Sequence, residues 1–340
     1  MAVLVTGAGG FVGGHLVDIL VERGESVRIL ARPGEDVVRL VKAGVEVCRG
    51  DLTDRSVLED AVDGVERVLH CAARTGPWGP LAEYEQVNVY GSKLLIEAAM
   101  TAGVRRIVHI SSITVHGLDV RGTVDETAPL HSGPDPYSRT KIASERVLQQ
   151  MIRDKGAPVA IVRPGLIYGP RDSNSFGRFA KLVEQGKMIL IGPGSNHLPL
   201  IYVRDVAEGI VLASEVEQAV GNAYLLVNDE PVTQRDYYNA MAKELGVPPP
   251  RLHIPYRAAL AIGATSEMVG HLTHKKQPPP LMRFGLMQIG GENRFVISRA
   301  RNELGFSPQV NLADGVRQGI AWYRSNRQVE SSQVESIKEE

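Results

Sequence analysis

At 340 residues the chain is more than twice the ~150 of an average domain, so one large domain or two coupled ones is expected. A 43% hydrophobic and 23% charged composition excludes a disordered chain, and 38 basic against 39 acidic residues leave no chain-level basic footprint for nucleic acid or an acidic surface. Two cysteines, Cys48 and Cys71, cannot build a disulfide framework and point to a reducing, cytoplasmic setting. The opening Met1-Ala2-Val3-Leu4-Val5-Thr6 lacks the basic stretch of a signal peptide, and no apolar run approaches the ~18 residues of a membrane span.

Short β-branched runs alternate with helix-length stretches through the first half of the chain. Strands are expected at Val3–Thr6, Val27–Leu30, Val45–Cys48, Arg67–His70, Arg106–Ser111 and Val159–Val162, with helices at Gly14–Glu22, Val57–Val62 and Gln86–Ala102. Each strand is a near-continuous apolar run, as when both faces of a parallel sheet are covered. The rhythm predicts an α/β fold with a Rossmann-type, doubly wound parallel sheet. A seventh strand, Ala223–Val227, returns after a helix at Asp205–Glu215. Residues 1–170 with 203–228 thus form a dinucleotide-binding domain. Residues 171–202 and 229–324, broken by Gly192-Pro193-Gly194, Pro248-Pro249-Pro250 and Pro278-Pro279-Pro280, form a smaller substrate-side domain. The polar stretch 325–340 is expected to be a flexible tail.

Directly after the first strand, Thr6-Gly7-Ala8-Gly9-Gly10-Phe11-Val12-Gly13 opens a helix. The spacing fits T-G-x-x-G-x-x-G at Gly7, Gly10 and Gly13. Glycines there permit a tight turn and close approach of backbone to a pyrophosphate, and the helix N-terminus offers unpaired N–H groups. The end of the second strand selects the cofactor. An acid there accepts the ribose 2′-hydroxyl of NAD, whereas an arginine accommodates the 2′-phosphate of NADP. Ala31 and Arg32 hold that place, so NADP(H) is favoured and NAD(H) stays open, Arg32 being otherwise a solvated strand-end charge.

Further on, Tyr137-Ser138-Arg139-Thr140-Lys141 opens another helical run, Ile142–Met151. Tyr137 and Lys141, four apart, share a helix face. A cation beside a phenol favours the phenolate and tunes it for proton exchange with an alcohol or carbonyl. Ser111-Ser112 ends the fifth strand, where open α/β sheets place ligands, and the Ser112 hydroxyl can donate to a carbonyl oxygen that gains charge.

Together these motifs resemble the extended short-chain dehydrogenase/reductase family, which includes epimerases, dehydratases and 3β-hydroxysteroid-dehydrogenase-like enzymes. Thr6-to-Gly13, Gly50-Asp51-Leu52, His70-Cys71-Ala72-Ala73, Ser111-Ser112 with Tyr137-to-Lys141, and Arg163-to-Pro170 match in order. Ile201-to-Val206 also resembles a family segment. The resemblance implies Ser112, Tyr137 and Lys141 as catalytic residues. It places Asp51 and Leu52 beside adenine, Ala72 and Ala73 along the cofactor, Lys141 on the nicotinamide ribose and Pro164 near the nicotinamide. Gly7, Gly10, Phe11, Val12 and Gly13 cradle the phosphates. Asn88 resembles the family's helix asparagine, with a buried structural hydrogen bond as its role. A homodimer is implied through helices flanking the fourth and fifth strands.

Two departures bear on the substrate. Sugar-nucleotide members carry an Asn where this chain has Leu166 and an Arg where it has Leu198. Burying an unpaired phosphate against leucines is prohibitive. Ala72-to-Pro80 instead resembles the steroid-dehydrogenase-like and 2-alkyl-3-oxoalkanoate reductase branch. Thr75 and Trp78 are then expected as a lip over a small hydrophobic substrate lined by Leu166 and Leu198, although Trp78 equally suits plain packing. Tyr256–Leu272 with His274-Lys275-Lys276 reads as a mobile cap or as an ordinary amphipathic helix. Its mix of Met268, Val269 and Leu272 with basic residues leaves room for weak membrane contact. His271 and His274 have no carboxylate or Cys cluster beside them, so no metal is expected. The function expected is a hydride-transferring ketone/secondary-alcohol oxidoreductase. The alternatives are a nucleotide-sugar epimerase/dehydratase and a non-catalytic dinucleotide-sensing module, the latter disfavoured by intact Ser112, Tyr137 and Lys141.

Overall fold

The computed structural model describes residues 2–339 other than 121 and 132, with side chains through Arg327. Among the described residues a seven-stranded sheet is built from β1 (Ala2–Thr6), β2 (Val27–Ala31), β3 (Glu46–Arg49), β4 (Val65–His70), β5 (Arg106–Ile110), β6 (Val159–Pro164) and β7 (Ala223–Leu226). Its order is β3-β2-β1-β4-β5-β6-β7, with every neighbouring pair parallel. Strands β5 and β6 are buried along their whole length, which is why they read as unbroken apolar runs. The strand order reverses between β1 and β4, and the crevice beyond their carboxyl ends is where such sheets bind ligands.

Helix α1 (Phe11–Glu22) covers one face of the sheet, α2 (Arg55–Val62), α3 (Ser92–Thr101) and α4 (Pro136–Lys155) the other, and α5 (Val203–Glu215) returns beside α1. Leu16, Val17 and Leu20 meet Val206 and Ile210 in one core cluster, and Leu58, Leu95 and Leu148 lie together in the second. Helix α4 has clean ends. The Asp135 carboxylate accepts from Ser138 N–H (2.7 Å), Pro136 occupies the first turn, and Gly156 terminates it at φ 65°. The single helix expected at Gln86–Ala102 is in fact two. Glu85–Gly91 is wound as a π-helix before α3 begins.

The less regular half gathers around a third apolar cluster. Its helices include α6 (Gln234–Leu245), α7 (Tyr256–Leu272), α8 (Arg283–Gly290) and α9 (Leu312–Glu339). Tyr168, Phe176, Tyr202 and Tyr237 pack ring against ring at its centre. Short strands stitch it: Leu166–Tyr168 runs parallel to Leu200–Tyr202, and His197–Leu198 antiparallel to Val232–Thr233. Helix α9 takes in the segment expected as a polar tail. It is anchored by Val316, Ile320 and Tyr323, and Arg327 pairs with Glu184. The tail side chains beyond Arg327 lie outside the described residues.

Candidate active site

The glycine loop joins β1 to α1 at the switch point. Gly7 is left-handed (φ 71°), and a Cβ there would lie 2.7 Å from the Ala72 backbone nitrogen. A Cβ on Gly13 would come within 2.2 Å of the Gly7 carbonyl oxygen. The loop therefore closes only with glycine at both places, and Ala72, after β4, forms its far wall. Gly10 has room for little more, its virtual Cβ standing 3.2 Å from the same carbonyl. Phe11 and Val12, in the first turn of α1, remain partly exposed. At the adenosine end, the Asp51 carboxylate is exposed and accepts from Thr53, while Leu52 is buried against Gly91. Arg32 projects into solvent with 74% of its side chain exposed, 3.8 Å from the Glu35 carboxylate, which in turn leans over Gly9.

Ser112, Tyr137 and Lys141 converge at the carboxyl end of β5. Ser112 Oγ accepts from Thr114 N–H (3.2 Å) and Thr114 Oγ1 (3.1 Å), so its own proton is free to donate. Burial pushes the Tyr137 phenol up to about 12, and its hydrogen bond with Ser112 works against that rise. Lys141 Nζ donates to the Ile110 carbonyl (2.6 Å) and sits 5.8 Å from the centre of the Tyr137 ring. Burial brings its ammonium down to about 8. The expectation that the lysine depresses the phenol is therefore overridden by desolvation in the free protein. Tyr137 holds its proton at neutral pH.

Beneath Lys141 the site is built of neutral polar groups. Ala72 N–H donates to Thr6 Oγ1 (3.2 Å), leaving the Thr6 hydroxyl proton for His70 Nδ1 (2.7 Å). Ser92 Oγ donates to the Asn88 carbonyl (2.8 Å) and so accepts from His70 Nε2 (2.8 Å). That fixes the tautomer of His70. Burial lowers His70 to about 3, with Lys141 adding to the effect. Asn88, carried inward by the π-helix, accepts from Arg74 N–H (2.7 Å) and donates to the Arg74 carbonyl (3.0 Å) and Thr140 Oγ1 (3.0 Å). It ties the loop after β4 to the helix of Tyr137, which is the structural role expected of it.

Against the first turn of α4 lies a cleft of about 460 Å³. Trp78, Leu81, Leu118, Met282, Phe284 and Met287 make much of its wall, which Thr114 and Ser138, near neighbours in sequence of Ser112 and Tyr137, also line. Its polar groups are Asp135, Arg139, His271 and the pair Glu267–Arg283 (2.8 Å). Burial raises the Asp135 carboxyl.

The model of the NAD-dependent epimerase/dehydratase family matches residues 3–226. The chain belongs to that family. It is 34% identical over 327 residues to 2-alkyl-3-oxoalkanoate reductase of Stenotrophomonas maltophilia (strain K279a), covering 93% of this chain and 98% of that protein. It is 30% identical over 338 residues to 3 beta-hydroxysteroid dehydrogenase/Delta 5-->4-isomerase of Mycobacterium tuberculosis (strain H37Rv), covering 95% and 90%. The crystal structure of DesIV, a dTDP-glucose 4,6-dehydratase from Streptomyces venezuelae with NAD and TYD bound, superposes with a TM-score of 0.78 at 25% identity, covering 96% of this chain and 98% of that one. As a member of the NAD-dependent epimerase/dehydratase family, the protein is an enzyme of the short-chain dehydrogenase/reductase type with a nicotinamide-dinucleotide redox role.

Within this family member the expected site residues separate into two groups. The glycine loop, Ala72, Ala73 and Pro164 lie at the carboxyl ends of β1, β4 and β6, around the same crevice as Ser112, Tyr137 and Lys141. Trp78 reaches the cleft wall and also packs, its ring 4.3 Å from that of His271 and its indole N–H donating to the Lys275 carbonyl (3.0 Å). Thr75 is exposed and only its carbonyl is engaged, by Tyr84 (3.3 Å). Leu166 and Leu198 lie elsewhere: both are buried among Tyr168, Tyr202 and Tyr237, away from the cleft wall. Their side chains fill core because Leu166–Tyr168 and His197–Leu198 are paired strands of the smaller lobe. Asp135, Glu267 and Met282 to Met287 were not singled out as site residues. Asp135 carries a legible N-cap signal, but the others are brought in by α7 and α8, which no local pattern ties to the sheet.

Proposed function

We propose that this enzyme interconverts a ketone and a secondary alcohol on a hydrophobic, steroid-like or 3-oxoalkanoate-like substrate. The observation that carries the reading is the mainly apolar cleft against the first turn of α4, the helix of Tyr137. Asp135 and Glu267 offset Arg139 and Arg283 on the wall, leaving no surplus of positive charge for a nucleotide diphosphate, while apolar surface gains roughly 25 cal/mol per Å² on burying a lipophilic chain. The two relatives at 34% and 30% identity named above, a 2-alkyl-3-oxoalkanoate reductase and a 3 beta-hydroxysteroid dehydrogenase/isomerase, support the same class.

The cradle formed at Gly7 and Gly13, where any Cβ would collide with backbone, fits a dinucleotide pyrophosphate held by Gly10, Phe11, Val12 and the N-terminus of α1. Asp51, Leu52, Ala72, Ala73 and Pro164 would border the rest of the cofactor, and Lys141 its ribose. A bound nicotinamide dinucleotide supplies hydride to a carbonyl carbon or takes it back from a carbinol. Ser112 donates a hydrogen bond to the substrate oxygen, and Tyr137, protonated at neutral pH, delivers the proton to that oxygen as charge develops. Lys141 holds positive charge beside the phenol as it loses its proton.

NADP(H) is the preferred form in this reading, with Arg32 exchanging Glu35 for a 2′-phosphate. Ala31→Asp with Arg32→Asn should then swing the affinity ratio toward NAD(H), measured by titration of both cofactors; an unchanged ratio removes Arg32 from the role. The functional class is tested with a ketone series of increasing apolar length and a panel of nucleotide sugars, following nicotinamide absorbance. Specificity constants should climb with chain length until the cleft is full. Micromolar binding of a nucleotide sugar, without binding of long-chain or steroidal ketones, would replace the reading by the epimerase/dehydratase one. The homodimer implied by the family resemblance is checked by light scattering of the purified protein.

A further inference from the structure

Helix α7 is half-embedded. Ala259, Gly263 and Gly270 face the protein, the last two against Leu286 and against Pro279 and Trp78. On the other side Ile262, Thr265, Met268, Val269 and Leu272 recur every three or four residues and are exposed, Leu272 to 72% and Met268 to 56%. Leu252 and Leu281, on either side of the helix in sequence, are exposed as well. So long an unpartnered apolar stripe on a polar protein marks a contact surface.

Charge around the stripe is segregated. Residues 250–291 contain Arg251, Arg257, Lys275, Lys276 and Arg283 against a single acid, Glu267, although the whole chain is at −1. That acid is turned inward. Its carboxylate accepts from the Arg283 backbone (2.6 Å) and guanidinium (2.8 Å), leaving no carboxylate on the exposed side of α7. No helix among the described residues is long and apolar enough to cross a membrane. An amphipathic helix that shows apolar residues outward, with lysines at its end and no acids, is matched by one kind of surface: apolar beneath, anionic on top.

We propose that α7 and the following Thr273–Leu281 segment dock this enzyme peripherally on anionic lipid bilayers. Met268, Val269 and Leu272 enter the headgroup–acyl boundary while Lys275 and Lys276 sit among lipid phosphates. The proposal stands on exposure and charge alone and does not depend on which substrate the cleft takes.

The test is co-sedimentation of the intact protein with vesicles of phosphatidylcholine and of 70:30 phosphatidylcholine/phosphatidylglycerol, at low and high salt. The expected result is pelleting with the anionic vesicles, at least ten-fold weaker on phosphatidylcholine and weakened by salt. Met268→Ser/Leu272→Ser and Lys275→Glu/Lys276→Glu should each reduce binding at least ten-fold while leaving the circular dichroism spectrum unchanged. As a measurement that needs no loss of binding, Leu272→Trp should be quenched by brominated lipid. Absence of pelleting on anionic vesicles overturns the proposal. So does binding to which both double variants are indifferent. A stripe that instead holds two copies together, seen as a dimer dispersed by Met268→Ser/Leu272→Ser with no vesicle binding, overturns it as well.

Discussion

Tyr137 departs from the phenolate that its pairing with Lys141 in sequence suggests, while Lys141 keeps the charge expected of it. Burial raises the phenol to about 12 and lowers the ammonium to about 8, so near neutrality the phenol is protonated and the lysine charged. That is the correct form of the pair for donating a proton to a carbonyl. Ketone reduction should therefore hold level from pH 6 to about 8 and decline above it, as Lys141 loses the charge that supports a departing phenolic proton. A pH–rate profile checks this; reduction that climbs between pH 6 and 8 contradicts it. Tyr137→Phe should cost on the order of 10²–10⁴ in turnover with cofactor affinity nearly intact, as titration of the variant would show. The identities of these residues were legible from Y-x-x-x-K and the paired serines. Their protonation states were not, because burial is a property of what α4 packs against.

At the scale of elements, α4 is fixed to the sheet by a contact one turn beyond Lys141. Glu145, fully buried, takes the Arg163 guanidinium through two hydrogen bonds, 3.0 Å to Oε1 and 2.6 Å to Oε2, joining the helix to β6. Arg163 Nη1 donates in addition to His116 Nε2 (3.1 Å) and the Glu126 carbonyl (3.3 Å). Removing one partner leaves the other charge buried and uncompensated. Glu145→Ala should cost about 3–5 kcal/mol in denaturant unfolding, whereas replacing both partners by apolar residues of similar volume should recover much of that. The strands and their parallel, doubly wound arrangement followed from hydrophobic runs and βαβ spacing, and all seven expected strands are present. The π-wound Glu85–Gly91 segment was not legible. Its apolar spacing is that of any helix, and the partners that Asn88 meets within it, Arg74 and Thr140, are brought near by the tertiary fold.

Across the whole molecule, several histidines are buried in neutral form. Burial holds His70 to about 3, and His15 and His116 to about 4, against an ordinary value near 6.5. The unfolded chain binds their protons more readily than the folded one, so their contribution to stability is complete above pH 6.5 and is lost as pH falls toward 4. Asp135 and Asp205, whose carboxyls burial raises, act in the opposite direction at lower pH. The melting temperature should fall between pH 6.5 and 4.5. His116→Gln, which removes a group that becomes a cation against Arg163, should flatten that fall. The switch to irregular, proline-punctuated sequence was legible, and that half gathers around an apolar cluster of its own. The cleft was not. Leu166 and Leu198 were singled out by comparison with a motif, yet the motif strands here close a core, and part of the wall is supplied by Glu267, Met282, Phe284 and Met287, more than 100 positions away from Tyr137.

One consequence of that distant assembly is optical. The chain has two tryptophans, and they stand in unlike surroundings. Trp322, partly buried, packs against the apolar cluster of the smaller lobe, while Trp78 lies on the cleft wall with its indole N–H on the Lys275 carbonyl and its ring over His271. Any movement of α7 relative to the β4 loop changes the environment of Trp78 and leaves Trp322 untouched. The protein thus contains its own fluorophore at the seam between its lobes, and a Trp322→Phe form would report opening and closing of the cleft through a single emission band.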